Sequence, residues 1–388
     1  MTKQKRMTRP WIASATWMYR TSAYSGQTRC PFGRNLMLRP PRPHPRLIDR
    51  ITATALTDLN KCVWRVGFGR DPAMSSLGRW SPAAALGTVA HSVKRQLGDP
   101  RGFEAIWDAA VATAQVRLAA EWAPATPPSP DNWPGWSLTK TRIRKAWLRS
   151  EPRPVARTAP AQSSFLPPLP WRELRLDHPS LPLAGQPDLV ERVDGKIWVV
   201  DTKTGLRQAD PSPDQRDQLL IYCALVQANL GEMPAVAAIE TSRGERHAFS
   251  VDPNEVKTLM ERAVDMLDSF NSAAADGFDE SLASPSAEAC GWCPFRIACH
   301  PFFQAYDETW EVSHAVLFTV ESADVREHGA YVEGAVHLPL WRVDQKFIST
   351  GFPFQPLPSV GETWAAADYV GRGSSAVAAW NTTTFRWS

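Results

Sequence analysis

Hydrophobic positions recur every three to four residues over 53–62, 82–97, 102–123 and 138–149, the spacing that lets an α-helix bury one face. A proline-rich joint at 124–134 separates two of these helices, and another covers 150–170. The period then shortens to two, or to brief apolar runs, at 171–177, 182–193 and 197–203, which predicts strands. Asp194-Gly195, between the last pair, is a hairpin signal. An amphipathic helix is predicted over 213–230, strands near 234–241 and 245–251, and a further helix over 252–275. From Ser313 the pattern changes to short strands with Gly and Pro turns, at 315–322, 330–340, 362–369, 375–380 and 383–387. That predicts a separate small β unit, a five-stranded barrel or sandwich. Residues 1–47 follow neither period. Arg, Pro, Ser and Thr dominate there, and four prolines fall within 40–45, so a disordered or loosely held arm is expected.

Composition changes this picture in two places. The 388 residues carry a net charge of only +3, yet residues 1–50 hold eleven Lys/Arg against Asp49 alone, a net of +10. The remainder is therefore mildly acidic, at −7. The basic arm either binds nucleic acid non-specifically or lies outside the functional protein. An apolar content of 43% with 21% charged residues is that of a soluble, packed chain of two or three domains. No run approaches the ~18 apolar residues that span a bilayer, so no membrane role and a cytoplasmic location are expected. In that compartment the six cysteines read as metal ligands or buried thiols rather than disulfides.

The densest candidate chemistry lies in Gly185-Gln-Pro-Asp188, Asp201-Thr-Lys203 and Gln218-Leu-Leu-Ile-Tyr222. Side chains alternate across a strand, so Asp201 and Lys203 share a face, and Asp188 on the preceding strand of a hairpin can reach the same face. Their strand is otherwise apolar, and buried charges are costly unless paired or metal-bound. Two carboxylates and a lysine at a sheet end suit Mg²⁺ or Mn²⁺; an ordinary strand-end ion pair is the plainer alternative. Gln218 and Tyr222, spaced i, i+4, face the same side of the next helix. His91 taken alone, on an Ala/Val-rich helix, reads as a core or surface histidine. A second cluster, Cys290-Gly-Trp-Cys293-Pro-Phe-Arg-Ile-Ala-Cys299, can wrap one metal centre but needs a fourth ligand; spacing does not choose zinc over iron–sulfur. Cys223, on an apolar helix, reads as a core thiol, and His300 as a surface residue or one just outside the site.

The ordered set Asp188, Asp201-x-Lys203 and Gln218-x-x-x-Tyr222 resembles the PD-(D/E)XK nuclease superfamily, and its RecB-like branch in particular. Gly87-Thr-Val-Ala-His91 is similar to that branch's helical Gly-x-x-x-His motif. The resemblance covers residues 51–305. It implies an α/β (α+β) fold, with a restriction-endonuclease-like core of mixed sheet flanked by helices. It also implies a metal-dependent DNA nuclease, read as an exonuclease, in repair, recombination or defence. His91, Asp188, Asp201 and the Thr202 carbonyl would hold Mg²⁺ or Mn²⁺. Asp188, Asp201, Lys203, Gln218 and Tyr222 would be the catalytic set, with Glu173 a weaker acidic candidate. In iron–sulfur members of the branch, which include the CRISPR-associated exonucleases, one N-terminal cysteine joins three C-terminal ones around a [4Fe–4S] cluster. Cys62 lies in a segment similar to that family's N-terminal helix, so Cys62, Cys290, Cys293 and Cys299 would form it. Cys30 is the rival fourth ligand, and zinc the alternative metal.

The expected layout is an arm over 1–47 and a nuclease domain over 48–305. That domain includes a helical part (about 80–150) and a cysteine segment (288–302), and an OB-like β unit follows over 306–388. Lys140, Arg142, Arg144, Lys145 and Arg149 give one helix five positive charges, with Trp147 among them, a pattern that can follow a phosphate backbone. The expected partner is DNA, single-stranded or at duplex ends. No G-x-x-x-x-G-K-[ST] segment is present, so any helicase motor would be a separate repair or defence subunit. The rival from another class is a non-catalytic nucleic-acid-binding scaffold on a nuclease-derived fold, which the intact Asp188/Asp201/Lys203 set argues against.

Overall fold

A computed structural model describes residues 40–123, 125–149, 166–203, 210–241, 244–327, 329–343, 345–372 and 374–387. Cys30 and the arm before residue 40 lie outside them. The first described stretch is not loose: His44 N–H donates to Asp71 Oδ2 (2.6 Å) and Arg46 N–H to the Arg70 carbonyl (3.2 Å). The irregular arm expected up to residue 47 is thus already pinned from residue 44. Among the described residues, no helix is long and apolar enough to cross a membrane.

The chain opens with β1 (Ile51–Thr52), α1 (Ala53–Lys61) and α2 (Val63–Arg70), then a helical insert of α3 (Pro82–Arg95), α4 (Phe103–Trp122) and α5 (Trp136–Arg149). The insert has its own core, built on Val89, Trp107, Leu118 and Ile143. Next come β2 (Trp171–Arg172), β3 (Leu176–Asp177), β4 (Leu183–Gly185), β5 (Leu189–Val193) and β6 (Lys196–Lys203). The turn between β5 and β6 is the two-residue Asp194-Gly195, with φ of 49° and 78°, the left-handed pair that matches the twist of a tight hairpin. α6 (Pro213–Leu230) carries the chain across to β7 (Val236–Thr241), which runs parallel to β6, and β8 (Arg246–Ser250) returns antiparallel. The central sheet has the order β2-β5-β6-β7-β8, while β1, β4 and β3 form a small second sheet.

β6 is central and buried on both faces, which accounts for its run Ile197, Val199, Val200 and leaves buried Asp201 and Thr202 in need of partners. α6 begins at a capping box, Ser212 with Gln215, and Pro213 in the first turn. It is not the amphipathic helix the sequence suggests: Leu219 through Val226 are all buried, because the helix lies between the sheet and helices α1 and α7 (Pro253–Asp276). Gly185 makes the close approach possible. A Cβ there would sit 2.8 Å from Leu225 Cδ1 and 2.9 Å from Tyr222 Cε1.

After α7, the short helices α8 (Ala287–Gly291) and α9 (His300–Ala305) frame the cysteine segment. The C-terminal sheet contains β9 (Ala315–Arg326), β10 (Gly329–Leu338), β11 (Lys346–Phe352), β12 (Thr363–Ala367), β13 (Val370–Arg372), β14 (Ser375–Val377) and β15 (Thr383–Trp387). β12 and β13 are halves of one strand, broken at Asp368 (φ 62°), and β14 and β15 are halves of the last. β9 pairs with β10 and β12; β11 pairs with β10 and, in parallel, with β14; β15 returns to β12. Followed around, these pairings close a five-stranded ring of OB-like connectivity. The sequence reading reaches five by omitting β11 and counting the broken last strand twice; Gly351 and the following prolines obscure β11's alternation.

Nor is this barrel detached. The buried Arg296 guanidinium, inside the cysteine segment, donates to the Gly291 carbonyl (3.0 Å) and to Asp368 of the barrel. Trp387 Nε1–H donates to the Ile297 carbonyl (2.9 Å), and Trp380 packs on Trp122 of α4 with ring centres 5.0 Å apart. Arg39–Ser388 is one compact unit.

Candidate active site

The loop after β4 brings Asp188 to the end of β6, where Thr202 N–H donates to Asp188 Oδ2 at 2.6 Å. This contact fixes one carboxylate oxygen and leaves Oδ1 toward His91 Nδ1, 3.5 Å away. Glu173 Oε1 lies 3.4 Å from the same nitrogen. His91, Glu173 and Asp188 each offer a ligand atom within 4.8 Å of the others, a set suited to a hard divalent cation. Glu173 holds a left-handed backbone (φ 46°), which costs a non-glycine residue about 1–3 kcal/mol. Two hydrogen bonds impose it: Glu173 N–H to the Asp188 carbonyl (3.0 Å) and Gln186 Nε2–H to the Glu173 carbonyl (2.8 Å). A strained residue held in place beside two candidate ligands is read as functional rather than as incidental surface charge.

Asp201 and Lys203 point from β6 toward α6. Lys203 Nζ lies 2.8 Å from Asp201 Oδ2 and donates to Gln218 Oε1 at 2.9 Å. Gln218 Nε2–H in turn reaches Asp201 Oδ1 (3.2 Å) and the Tyr222 hydroxyl (3.0 Å). Gln218 thus orients the lysine and carboxylate together, and Tyr222 backs it. Asp201 Oδ2 is the orphan of the network. It is buried and within ionic distance of Lys203, yet no donor reaches it with hydrogen-bond geometry. The Lys203 ammonium is therefore its charge partner here, and the carboxylate lies beside the His91/Glu173/Asp188 group.

Electrostatics agree with crowding of negative charge. Burial, then the Asp201 carboxylate, pushes the Asp188 carboxyl up to about 6, although His91 and the Thr202 N–H pull it back. The bond to Glu173 raises the His91 imidazole against the opposing effect of burial. Burial pushes the Tyr222 phenol up to about 12, so it acts as a neutral hydrogen-bonding group.

A cleft of about 680 Å³ runs from His91, Glu173 and Asp188 between the central sheet and α5. One stripe of α5, Leu138, Arg142, Lys145 and Arg149, lines it at alternating steps of four and three. The five predicted basic positions therefore divide. Arg142, Lys145 and Arg149 face the cleft, whereas Lys140 and Arg144 turn to Glu104 of α4, at 3.1 and 3.6 Å. Charge content announced a basic helix, but only its packing on α4 decides which side meets the cleft.

In a second, separate cavity, Cys62, Cys290, Cys293 and Cys299 line a small space with Phe68, Phe295 and Phe302. None of the four is joined in a disulfide. Burial raises the Cys290 thiol, takes Cys293 up to about 12 and moves Cys299 well up. Such thiols stay protonated unless a metal centre stabilises the thiolates. Cys223 lies apart, buried in α6. His300 lies 3.2 Å from Glu280 and packs against Trp387.

A family model described as the PD-(D/E)XK nuclease superfamily matches residues 50–300. No curated protein matches the sequence. Among solved structures, the crystal structure of SSO0001 is similar over 34% of this chain and 60% of its own, with 16% identity and a TM-score of 0.22. This chain thus spans about 60% of that structure's length.

Proposed function

We propose a specific chemistry for this chain, which belongs to the PD-(D/E)XK nuclease superfamily: divalent-metal-dependent hydrolysis of DNA phosphodiesters by a RecB-like active site. The observation that carries it is Asp201, a buried carboxylate gripped by Lys203 and Gln218, set beside the His91/Glu173/Asp188 group. PD-(D/E)XK nucleases use divalent metals. Here His91, Glu173 and Asp188, with Asp201 and the Thr202 carbonyl, would hold Mg²⁺ or Mn²⁺. When bound, the ion supplies a Lewis acid for the phosphate and an acidified water.

The protein does the rest by position. Lys203, tethered by Asp201 and Gln218, keeps a fixed positive charge beside the attacked phosphate. The water oxygen bonds to phosphorus and the P–O ester bond breaks, leaving a phosphomonoester and a hydroxyl. Arg142, Lys145 and Arg149 draw the strand's other phosphates along the cleft. A cleft roofed by α5 suits a threaded single strand or a frayed duplex end, which favours exonuclease action.

The cysteine pocket has a different part. Cys62, Cys290, Cys293 and Cys299 would hold a [4Fe–4S] cluster that cross-links α1 to the chain after α7, closing a loop of more than two hundred residues. An anaerobic preparation is expected to be brown, absorbing near roughly 400 nm. A colourless protein with stoichiometric zinc would overturn the cluster. For the active site, single- and double-stranded DNA is incubated with Mg²⁺ or Mn²⁺ and wild type, Lys203→Ala or Asp201→Ala. Both variants should lose at least about 10²-fold in rate; equal cleavage by all three contradicts the proposal.

A further inference from the structure

Lys94 is a cation of this cleft that no motif assigns, on the same helix as His91. It lies one turn beyond His91 on α3, so its side chain leaves the helix on the same face, and it lines the cleft that holds His91, Glu173 and Asp188. Four carboxylates surround it at electrostatic range: Glu240, Asp188, Glu173 and Asp201. Yet among the described residues Lys94 has no ion pair or hydrogen bond. Its neighbours differ. Arg95 is 3.3 Å from Glu173, and Arg246 bridges Glu191 and Glu240 at 2.5 and 3.0 Å, so their charge is largely spent inside the protein.

A half-buried ammonium without a direct partner needs a reason, because desolvation disfavours it. The acidic surroundings supply part of that reason in the metal-free site. A divalent cation among those carboxylates would take up their charge and leave Lys94 facing the cleft with its own charge to give. Lys203 cannot fill that place, since Asp201 and Gln218 hold it on the α6 side. A phosphodiester anion entering between α3 and the sheet therefore meets a second cation from the α3 side.

We infer that the Lys94 ammonium contacts a phosphate of the strand bound in the cleft, across the carboxylates from Lys203, and stabilises the charge that builds there as the ester breaks. This rests on the nuclease reading for its catalytic part only; the phosphate contact stands or falls by binding.

The test uses the full chain, a labelled single-stranded oligonucleotide, and Lys94→Met, Lys94→Gln and Lys94→Arg. In Ca²⁺, the slope of log affinity against log salt should shrink by about one for Met and Gln and stay near wild type for Arg. In Mn²⁺, kcat should fall about 10²-fold for Met and Gln, well beyond any rise in KM, with melting temperatures kept. Unchanged slope and kcat in whichever of the two neutral variants folds overturns the inference. A wild type with the Lys94-dependent slope but no cleavage would leave the contact standing and sink the nuclease reading. A wild type that binds no oligonucleotide overturns both.

Discussion

The carboxylate cleft and the cysteine pocket are both places where ligating side chains converge from distant parts of the chain, and they are built in opposite ways. In the cleft, every ligand candidate is steered by a polar neighbour: Thr202 N–H on Asp188, Gln218 on Asp201 and Lys203, Gln186 on the Glu173 backbone. The cleft stays open, with a basic helix for a wall. In the cysteine pocket the steering is by packing. Phe68 stacks on Phe295 with ring centres 5.8 Å apart, and the barrel's Trp387 and Asp368 hold the segment from outside. Oriented and solvated ligands serve a reaction in which water and substrate must enter. Dry, aromatic-walled ligands serve a fold. The same element class, a bound metal, would thus do chemistry in one cavity and hold the chain in the other.

Substitutions that separate the two regions are the sharpest way to break this contrast. The largest effect is expected from Asp188→Asn, which removes a charge from the His91/Glu173/Asp188 group: cleavage should fall by about 10³-fold or more in a Mn²⁺-dependent assay while melting is preserved. Next comes Cys290→Ser. Opening a cross-link over so long a loop should cost about 3–5 kcal/mol of stability, by analogy with long-loop disulfides, read as an earlier denaturant midpoint together with loss of colour. A smaller effect follows from Arg142→Ala, Lys145→Ala and Arg149→Ala combined. Affinity should weaken and the salt slope drop by up to about three, while Lys140→Ala with Arg144→Ala, on the Glu104 side, should change the slope little.

The pH response is the mildest. Asp188 in the metal-free protein holds its proton up to about pH 6, above its ordinary value near 3.8. That group therefore favours the folded state most below pH 4 and loses the contribution as pH rises through 6, because the buried charge is then costly. Metal binding needs the ionised form, so the sign reverses for affinity. Mn²⁺ should bind progressively more weakly as pH falls below 6, by up to about tenfold per unit for each competing proton. Titration calorimetry across that range would show it, and a flat profile would argue that Asp188 is not a ligand.

How far the sequence foretells the two regions differs for physical reasons. Asp188, Asp201, Lys203, Gln218 and Tyr222 are legible because strand alternation and helical i, i+4 spacing fix which side chains can meet. Their contacts in the structure follow that logic almost residue for residue. Glu173 is legible only as a weaker acidic candidate, since its aim depends on a left-handed backbone angle in an irregular segment. Lys94 is hidden for another reason: its neighbours come from β6, β7 and the segments that carry Glu173 and Asp188, and only the placement of α3 over the sheet brings them near. That a small β unit ends the chain could be read, but neither β11 nor the unit's seat on the cysteine segment could, because Arg296, Asp368 and Trp387 have no pattern in common before the chain folds.

The division between a reacting cleft and a holding pocket is tested most directly by measuring DNA cleavage and thermal melting on the same preparations of wild type, Asp201→Asn and Cys299→Ser. Asp201→Asn should lose Mn²⁺-dependent cleavage while melting near wild type. Cys299→Ser should melt earlier and lose the band near roughly 400 nm, with cleavage surviving in the fraction that remains folded. Wild-type cleavage by Asp201→Asn, or a Cys299→Ser protein that melts normally yet cannot cleave, would contradict the account.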